Sequence, residues 1–164
     1  MNGYVIQGWE ALFVAEAGAA AALAGLLFVA VSINLTHILE YPGLSGRAAE
    51  ALGLLFFVLV VATLGLVPGQ SAAGLAGEIL AVGGLTELIL VIQQLRDARR
   101  PEQQLRWSLT RIVSSALATL PAMVAGLSVL IHAGGGFYWL VPAILLAFAA
   151  ALVDAWVLLV EILR

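Results

Sequence analysis

The sequence predicts an all-α fold: a polytopic membrane helix bundle with five transmembrane helices, its N-terminus outside and its C-terminus inside the cell. Composition, the spacing of apolar runs and the placement of arginine carry this prediction. The 164 residues are 63% hydrophobic and 10% charged, whereas soluble domains are about 45–50% apolar and about 25% charged. Because a spanning helix needs about 20 apolar residues, five spans occupy most of the chain, which predicts a single transmembrane domain over residues 1–164.

Five apolar runs alternate with four connecting segments that each contain glycine or proline, as is typical of helix ends. The runs are Trp9–Leu39, Ala48–Val67, Ala72–Leu95, Trp107–His132 and Tyr138–Leu163. Backbone amides in hydrocarbon must be hydrogen-bonded within their own segment, so each run predicts a helix. Met1 to Gln7 carries no basic side chain, so we expect the first run to be a retained span rather than a cleaved signal.

All basic residues of the chain are arginines, and five spans place them on one side. They are Arg47, Arg96, Arg99, Arg100, Arg106, Arg111 and Arg164. The positive-inside rule therefore predicts the orientation given above. A four-span alternative, with Pro68 inside one long segment, moves several arginines outside and is disfavoured. The absence of lysine and the abundance of alanine, glycine and leucine favour a GC-rich bacterial genome, and hence a multi-pass protein of the bacterial cytoplasmic (inner) membrane.

Small residues at every fourth position predict where the helices pack, because helices in lipid associate through close backbone approach. The stripes are Ala17, Ala21 and Gly25 in the first run, Ala73, Gly77 and Ala81 in the third, Ala118, Ala122 and Gly126 in the fourth, and Ala143, Ala147, Ala151 and Ala155 in the fifth. The second run is bulky all round, which we interpret as a peripheral helix. The alternative is that the stripes reflect an alanine-rich composition alone.

Polar residues within the spans are the candidate sites, since intramembrane ionisable groups are costly. They are Glu16, Asn34, Glu78, Glu87, Arg111, Asp154 and Glu161. Glu78 and Glu87 are nine positions apart and point in opposite directions on one helix, so they cannot form a side-by-side acid/base pair. Arg111 has a depth that allows a pair with Asp154 or Glu161; alternatively it extends to the headgroups alone.

Glu16 and Asn34 are eighteen positions apart, which places them on one face of the first span. That face predicts contact with a partner helix, a neighbouring subunit or water. The alternative is a protonated glutamate near the outer interface. Near the cytoplasmic face, Arg96, Arg99, Arg100 and Arg106 are expected to bind anionic lipid headgroups, unless they serve only to determine topology.

Other kinds of site are not expected. Cysteine is absent, which excludes thiolate metal sites and thiol nucleophiles. His37 and His132 fall on opposite sides of the predicted membrane, so they cannot share a metal. No phosphate-binding loop, Ser-His-Asp arrangement or nucleic-acid patch is present, and we expect no cofactor.

Three segments carry a resemblance. They are residues 18–34, with the sequence GAAAALAGLLFVAVSIN, then Tyr41-Pro42-Gly43-Leu44, and later Gly65-Leu66-Val67-Pro68-Gly69-Gln70. Over roughly the first 70 residues the chain resembles an uncharacterised family of small multi-pass bacterial membrane proteins, some of which are labelled FtsH protease modulators. The resemblance implies a bacterial setting and carries no functional residue.

These observations predict a non-enzymatic integral membrane protein, acting as an accessory, assembly or regulatory subunit of a membrane complex, because the loops are too short for a soluble active site. The alternative is an oligomeric ion channel or small transporter that uses Glu16, Glu78 or Glu87. The expected partners are the lipid bilayer and either further copies of the chain or other membrane proteins, not nucleic acid.

Overall fold

A computed structural model describes residues 3–41, 43–98 and 105–162, and the side chains of 3–41, 43–98 and 110–160. Within these residues every regular element is a helix, and turns connect the helices. The elements are α1 (Glu10–Ile33), α2 (Leu35–Glu40), α3 (Leu44–Gly65), α4 (Ala72–Ala98), α5 (Leu105–Ile131), a short 3₁₀ helix (Gly136–Trp139) and α6 (Leu140–Ile162). The prediction of an all-α chain is confirmed for the part that the structure describes.

Five of the helices, α1, α3, α4, α5 and α6, are long and apolar enough to cross a membrane, as the five runs predicted. The first run is the main departure, because it is not one helix to Leu39. Asn34 leaves the helical conformation, with φ −106° and ψ 17°, and its side-chain Nδ2 donates to the carbonyl of Ala30 at 2.9 Å. A short polar side chain that bonds its own backbone competes with the helix, so the chain turns there into α2.

The second spanning helix, α3, lies at the centre of the bundle and not at its periphery, so that prediction was wrong. Helices α3, α4, α5 and α6 pack in a closed ring, and α1 lies outside the ring against α3. Leu54, Phe57, Val58 and Val61 of α3 are at most 1% exposed. The bulky all-round surface of α3 fits this position, because a helix that contacts three neighbours is apolar on every side.

The small-residue stripes divide in the same way. Those of α5 and α6 are in helix contacts as predicted: Ala118, Ala122, Ala143, Ala147 and Ala151 are at most 2% exposed. The stripes of α1 and α4 face outward instead, since a Cβ built at Gly25 or at Gly77 meets nothing within 4 Å. The buried residues of α1 are instead Phe13, Ala20 and Leu27, which are seven residues apart, and Phe13 packs against Gly65 of α3.

The antiparallel order of the helices gives the bundle two distinct ends. At one, which we call the arginine end, Arg47, Arg96 and Arg111 lie near the starts of α3 and α5 and the end of α4. At the other, which we call the glycine end, the backbone of Gly3 contacts that of Gly136. The two ends are held by different interactions, and the candidate sites differ accordingly.

Candidate functional site

Arg111 is the centre of a buried polar network in the arginine half of the bundle. Only 7% of its side chain is exposed. Its Nε donates to Glu50 Oε2 at 2.7 Å, and its Nη1 donates to Asp97 Oδ2 at 3.3 Å. The guanidinium therefore joins α5 to both α3 and α4, and its charge is compensated within the bundle rather than at the headgroups.

The predicted partner of Arg111 needs correction. Asp154 pairs instead with Arg47, whose Nη1 lies 3.0 Å from Asp154 Oδ1, so this second ion pair links α6 to α3. The side chain of Glu161, the other predicted partner, lies outside the described residues. The depth argument placed Asp154 near enough, but α3 lies between α4 and α6 in the ring and supplies the acid that reaches Arg111.

Gln94 extends the network along the α4–α5 interface. It is 1% exposed, and its Nε2 donates to Glu50 Oε1 at 2.8 Å and to Ser115 Oγ at 3.4 Å. Its Oε1 and the Nη2 of Arg111 are buried without a hydrogen-bond partner among the described residues. A buried polar atom without a partner is uncommon and calls for an explanation.

Glu87 occupies the inner end of the network, close to the middle of α4. Its Oε2 accepts from Thr119 Oγ1 at 2.9 Å, and its Oε1 lies 3.5 Å from Ser115 Oγ. None of the ion pairs between described residues includes Glu87. The carboxyl group thus meets only neutral hydroxyl groups in the described structure.

Sequence reasoning found Arg111, Asp154 and Glu87 but missed three members of the network. Glu50, Gln94 and Asp97 stand near the ends of apolar runs, where polar residues are ordinarily exposed. A usable signal was present for Glu50, whose neighbours Ala48, Ala49, Ala51 and Leu52 are apolar. A lone polar side chain in such a place needs a partner in the bundle.

A separate feature is an apolar groove of about 490 Å³ between α1 and α6 in the arginine half. The residues that line it are Leu23, Leu26, Leu27, Ala30, Val31, Asn34, Ile38, Leu55, Ala151, Leu152, Ala155, Leu158 and Leu159. The groove exists because α1 packs on α3 and diverges from α6. We call it the α1–α6 groove.

Two predicted polar residues belong to the groove face of α1. Asn34 lines the groove. Glu16 lies on the same face, since eighteen residues are five helical turns, and it is two turns from Leu23 on the side of the glycine end. The carboxyl group of Glu16 is partly exposed and makes no hydrogen bond or ion pair with another described residue.

The remaining predicted residues do not join either feature. Glu78 accepts a hydrogen bond from Gln70 Nε2, on a different side of α4 from Glu87, as their spacing predicted. Arg96 is exposed near the end of α4. Arg99, Arg100 and the side chain of Arg106 lie outside the described residues, so the lipid-headgroup prediction for them stays a prediction.

Within the described part of the chain, no group of three or more histidine or acidic side chains could hold a metal ion. The network combines carboxyl groups, which can bind and release protons, with amide, hydroxyl and guanidinium groups, which form hydrogen bonds to them. Comparison of the chain with family models, curated proteins and solved structures finds no match.

Proposed function

We propose that the protein is a non-enzymatic accessory, assembly or regulatory subunit of a membrane complex, and that it binds a helix of another membrane protein in the α1–α6 groove. The observation that carries this proposal is the position of Glu16. An ionisable group at this depth of a span, without a partner among the described residues of its own chain, needs a hydrogen-bond donor from elsewhere. Asn34 offers a second polar contact about 27 Å away along the same face, at about 1.5 Å per residue.

The partner is expected to be a different protein rather than a second copy. Glu16 lies toward the glycine end of α1, whereas every arginine in the sequence falls toward the opposite side of the predicted membrane. Copies of one chain insert in the same orientation, so no copy can bring an arginine to Glu16. A foreign helix with a basic or amide side chain near its outer end satisfies the carboxyl group.

A photo-crosslinking amino acid at Ala30 tests the occupant of the groove, with Ala21 on the outward face of α1 as the matched control position. We expect a protein adduct of one discrete mass from Ala30 and none from Ala21, and its loss when Glu16→Gln is added. A lipid adduct, or an adduct of twice the mass of the chain, would contradict a foreign partner. An adduct unaffected by Glu16→Gln would remove the role of the carboxyl group.

The setting proposed for this function is the bacterial cytoplasmic membrane, with the arginine end inside. This orientation follows from the positive-inside rule. The chain has no cysteine, so single cysteines report it cleanly. Ala133→Cys at the glycine end should react with an impermeant thiol reagent added outside intact cells, and Glu40→Cys in α2 should react only after lysis. The reverse pattern would overturn the orientation.

An oligomeric cation channel is the second candidate, favoured by the same free carboxyl group of Glu16, because rings of carboxylates select cations. The three acids proposed for it have separate surroundings, however: Glu87 lies between α4 and α5, Glu78 bonds to Gln70, and Glu16 lies on α1. We therefore expect purified protein in planar bilayers to be electrically silent. A cation current that Glu16→Gln alters would favour the channel.

A further inference from the structure

Among the described residues, the polar network contains more acidic than basic side chains. Its carboxyl groups belong to Glu50, Glu87, Asp97 and Asp154, and its guanidinium groups to Arg47 and Arg111. If all were ionised, four negative charges would face two positive ones. An uncompensated charge in a low-dielectric interior is strongly unfavourable, so such groups take up a proton instead.

One of these two excess negative charges belongs to Glu87, and the other to the two carboxyl groups that share Arg111. Asp154 pairs with Arg47, while Glu50 and Asp97 share Arg111. Glu87 lies about 3 Å along the helix axis from the middle of α4, at about 1.5 Å per residue, and its contacts are hydroxyl groups. It is the carboxyl group of the network to which the described structure gives no cation.

The hydroxyl groups around Glu87 suit both of its protonation states. Ser115 Oγ lies 3.1 Å from the carbonyl of Ile112, and Thr119 Oγ1 lies 3.1 Å from the carbonyl of Ser115. When Glu87 is protonated, its single O–H can donate to one hydroxyl, which donates in turn to its backbone carbonyl, while the other hydroxyl donates to the carbonyl oxygen of the acid. When Glu87 is ionised, the hydroxyls can rotate and donate to the carboxylate, since each has one proton and two lone pairs.

Two of the four buried side-chain atoms without partners among the described residues belong to this network, on the side of Glu87 toward the arginine end. From Ser115 the hydrogen-bonded chain continues through Gln94 and Glu50 to Arg111 and then to the partly exposed Asp97. Among the described residues, Gln94 Oε1 is an acceptor without a donor and Arg111 Nη2 a donor without an acceptor, and these side chains are 1% and 7% exposed. An acceptor and a donor along one polar chain point to a ligand that both donates and accepts: water, or a proton carried by water.

We propose that Glu87 is a proton-binding site, and that it exchanges its proton with the arginine end through water held along this chain. A hydronium ion arriving from that end gives its proton to the Glu87 carboxylate and leaves as water, forming a neutral carboxylic acid. The chain opens toward one end, so the site senses the acidity of one compartment. This property does not depend on the occupant of the α1–α6 groove.

Carbodiimide labelling of the whole protein in detergent tests the site, since these reagents add to protonated carboxyl groups in apolar surroundings. Peptide mass mapping should find an adduct on Glu87, and its rate should fall about tenfold per pH unit above the midpoint of titration. The absence of lysine removes the competing amine side chains. The result that overturns the proposal is an unlabelled Glu87 at every pH while other acids react, or protection of Glu87 by sodium ions at constant pH.

Infrared spectroscopy tests the path. The carbonyl band of the protonated acid should disappear as pH rises, and Glu87→Gln should remove the band. After a rapid pH jump, Gln94→Leu should abolish the fast phase of this change, whereas Gln93→Leu, at the neighbouring position of α4, should keep it. Equal kinetics in the two variants, each with a melting temperature like that of the parent, would exclude the path through Gln94.

Discussion

The two ends of the bundle are held together by opposite means. At the arginine end, three ion pairs of Arg47 and Arg111 join α3 to α6, α5 to α3 and α5 to α4. At the glycine end, backbone meets backbone: the N–H of Phe137 donates to the carbonyl of Gly3 at 2.7 Å, and Gly136 adopts a φ of +62°. Ion pairs therefore connect the helices at the arginine end, whereas glycines without side chains allow close backbone contact at the glycine end.

Aromatic packing completes the glycine end. Trp9 is 6% exposed and packs edge-on against Phe137 and Tyr138, with ring centroids 6.3 and 5.1 Å apart. Aromatic pairs in this arrangement are stabilising beyond their buried area. The residues before α1 are thereby fixed to the start of α6.

This difference indicates which end of the bundle can respond to a change in pH. Protonation changes the charge balance of the arginine end and therefore the attraction between α3, α4, α5 and α6. Steric contacts at the glycine end keep the same strength at any protonation state of the network. We therefore expect a change in pH to alter the helix packing at the arginine end, while the contacts at the glycine end stay the same.

Arg111→Ala should have the largest effect on stability. It leaves the buried carboxyl group of Glu50 without its cation, and breaking a buried ion pair costs about 3–5 kcal/mol. Thermal unfolding in detergent should show a lower melting temperature, and adding Glu50→Gln should restore part of it. Arg96→Ala, at an exposed arginine of the same end, is the control and should change stability little. If the melting temperature of Arg111→Ala were no lower than that of Arg96→Ala, the network would contribute nothing to stability.

Sequence patterns predicted the five long apolar helices well because length and hydropathy are properties of each segment alone. The helix contacts of α5 and α6 were also predictable. Ala118 and Ala122 in α5, and Ala143 and Ala147 in α6, recur at every fourth position, which places each pair on one helix face. The central place of α3 and the pairing of Arg111 with Glu50 were not, because both depend on which helices are neighbours. Which helices are neighbours is hard to predict from a sequence whose helices are apolar on all sides.

Gly136→Ala should have the next largest effect, and it tests the steric end. A Cβ at this position would overlap the carbonyl of Gly3, and a φ of +62° is itself unfavourable for alanine by about 1–2 kcal/mol. Overpacking adds about 1–3 kcal/mol, so the melting temperature should fall. Gly25→Ala is the matched control, since a Cβ there meets nothing within 4 Å. A drop of the same size for Gly25→Ala would mean that the outward face of α1 is already occupied in the purified protein.

Tyr4→Phe should have the smallest effect, and it separates hydrogen bonding from packing at the glycine end. The N–H of Gly135 donates to Tyr4 Oη at 3.0 Å, while the Tyr4 ring stacks on His132 with centroids 5.9 Å apart. Phenylalanine keeps the ring and removes the hydroxyl, so the loss should be about 0.5–1.5 kcal/mol. Amide hydrogen exchange should rise at Gly135 and stay unchanged at Gln94, whose network lies at the other end. Tyr41→Phe, at an exposed tyrosine near the arginine end, should leave both amides as they are. If Tyr4→Phe destabilised the protein as much as Arg111→Ala, polar contacts would dominate both ends, and the contrast between a charged end and a steric end would be wrong.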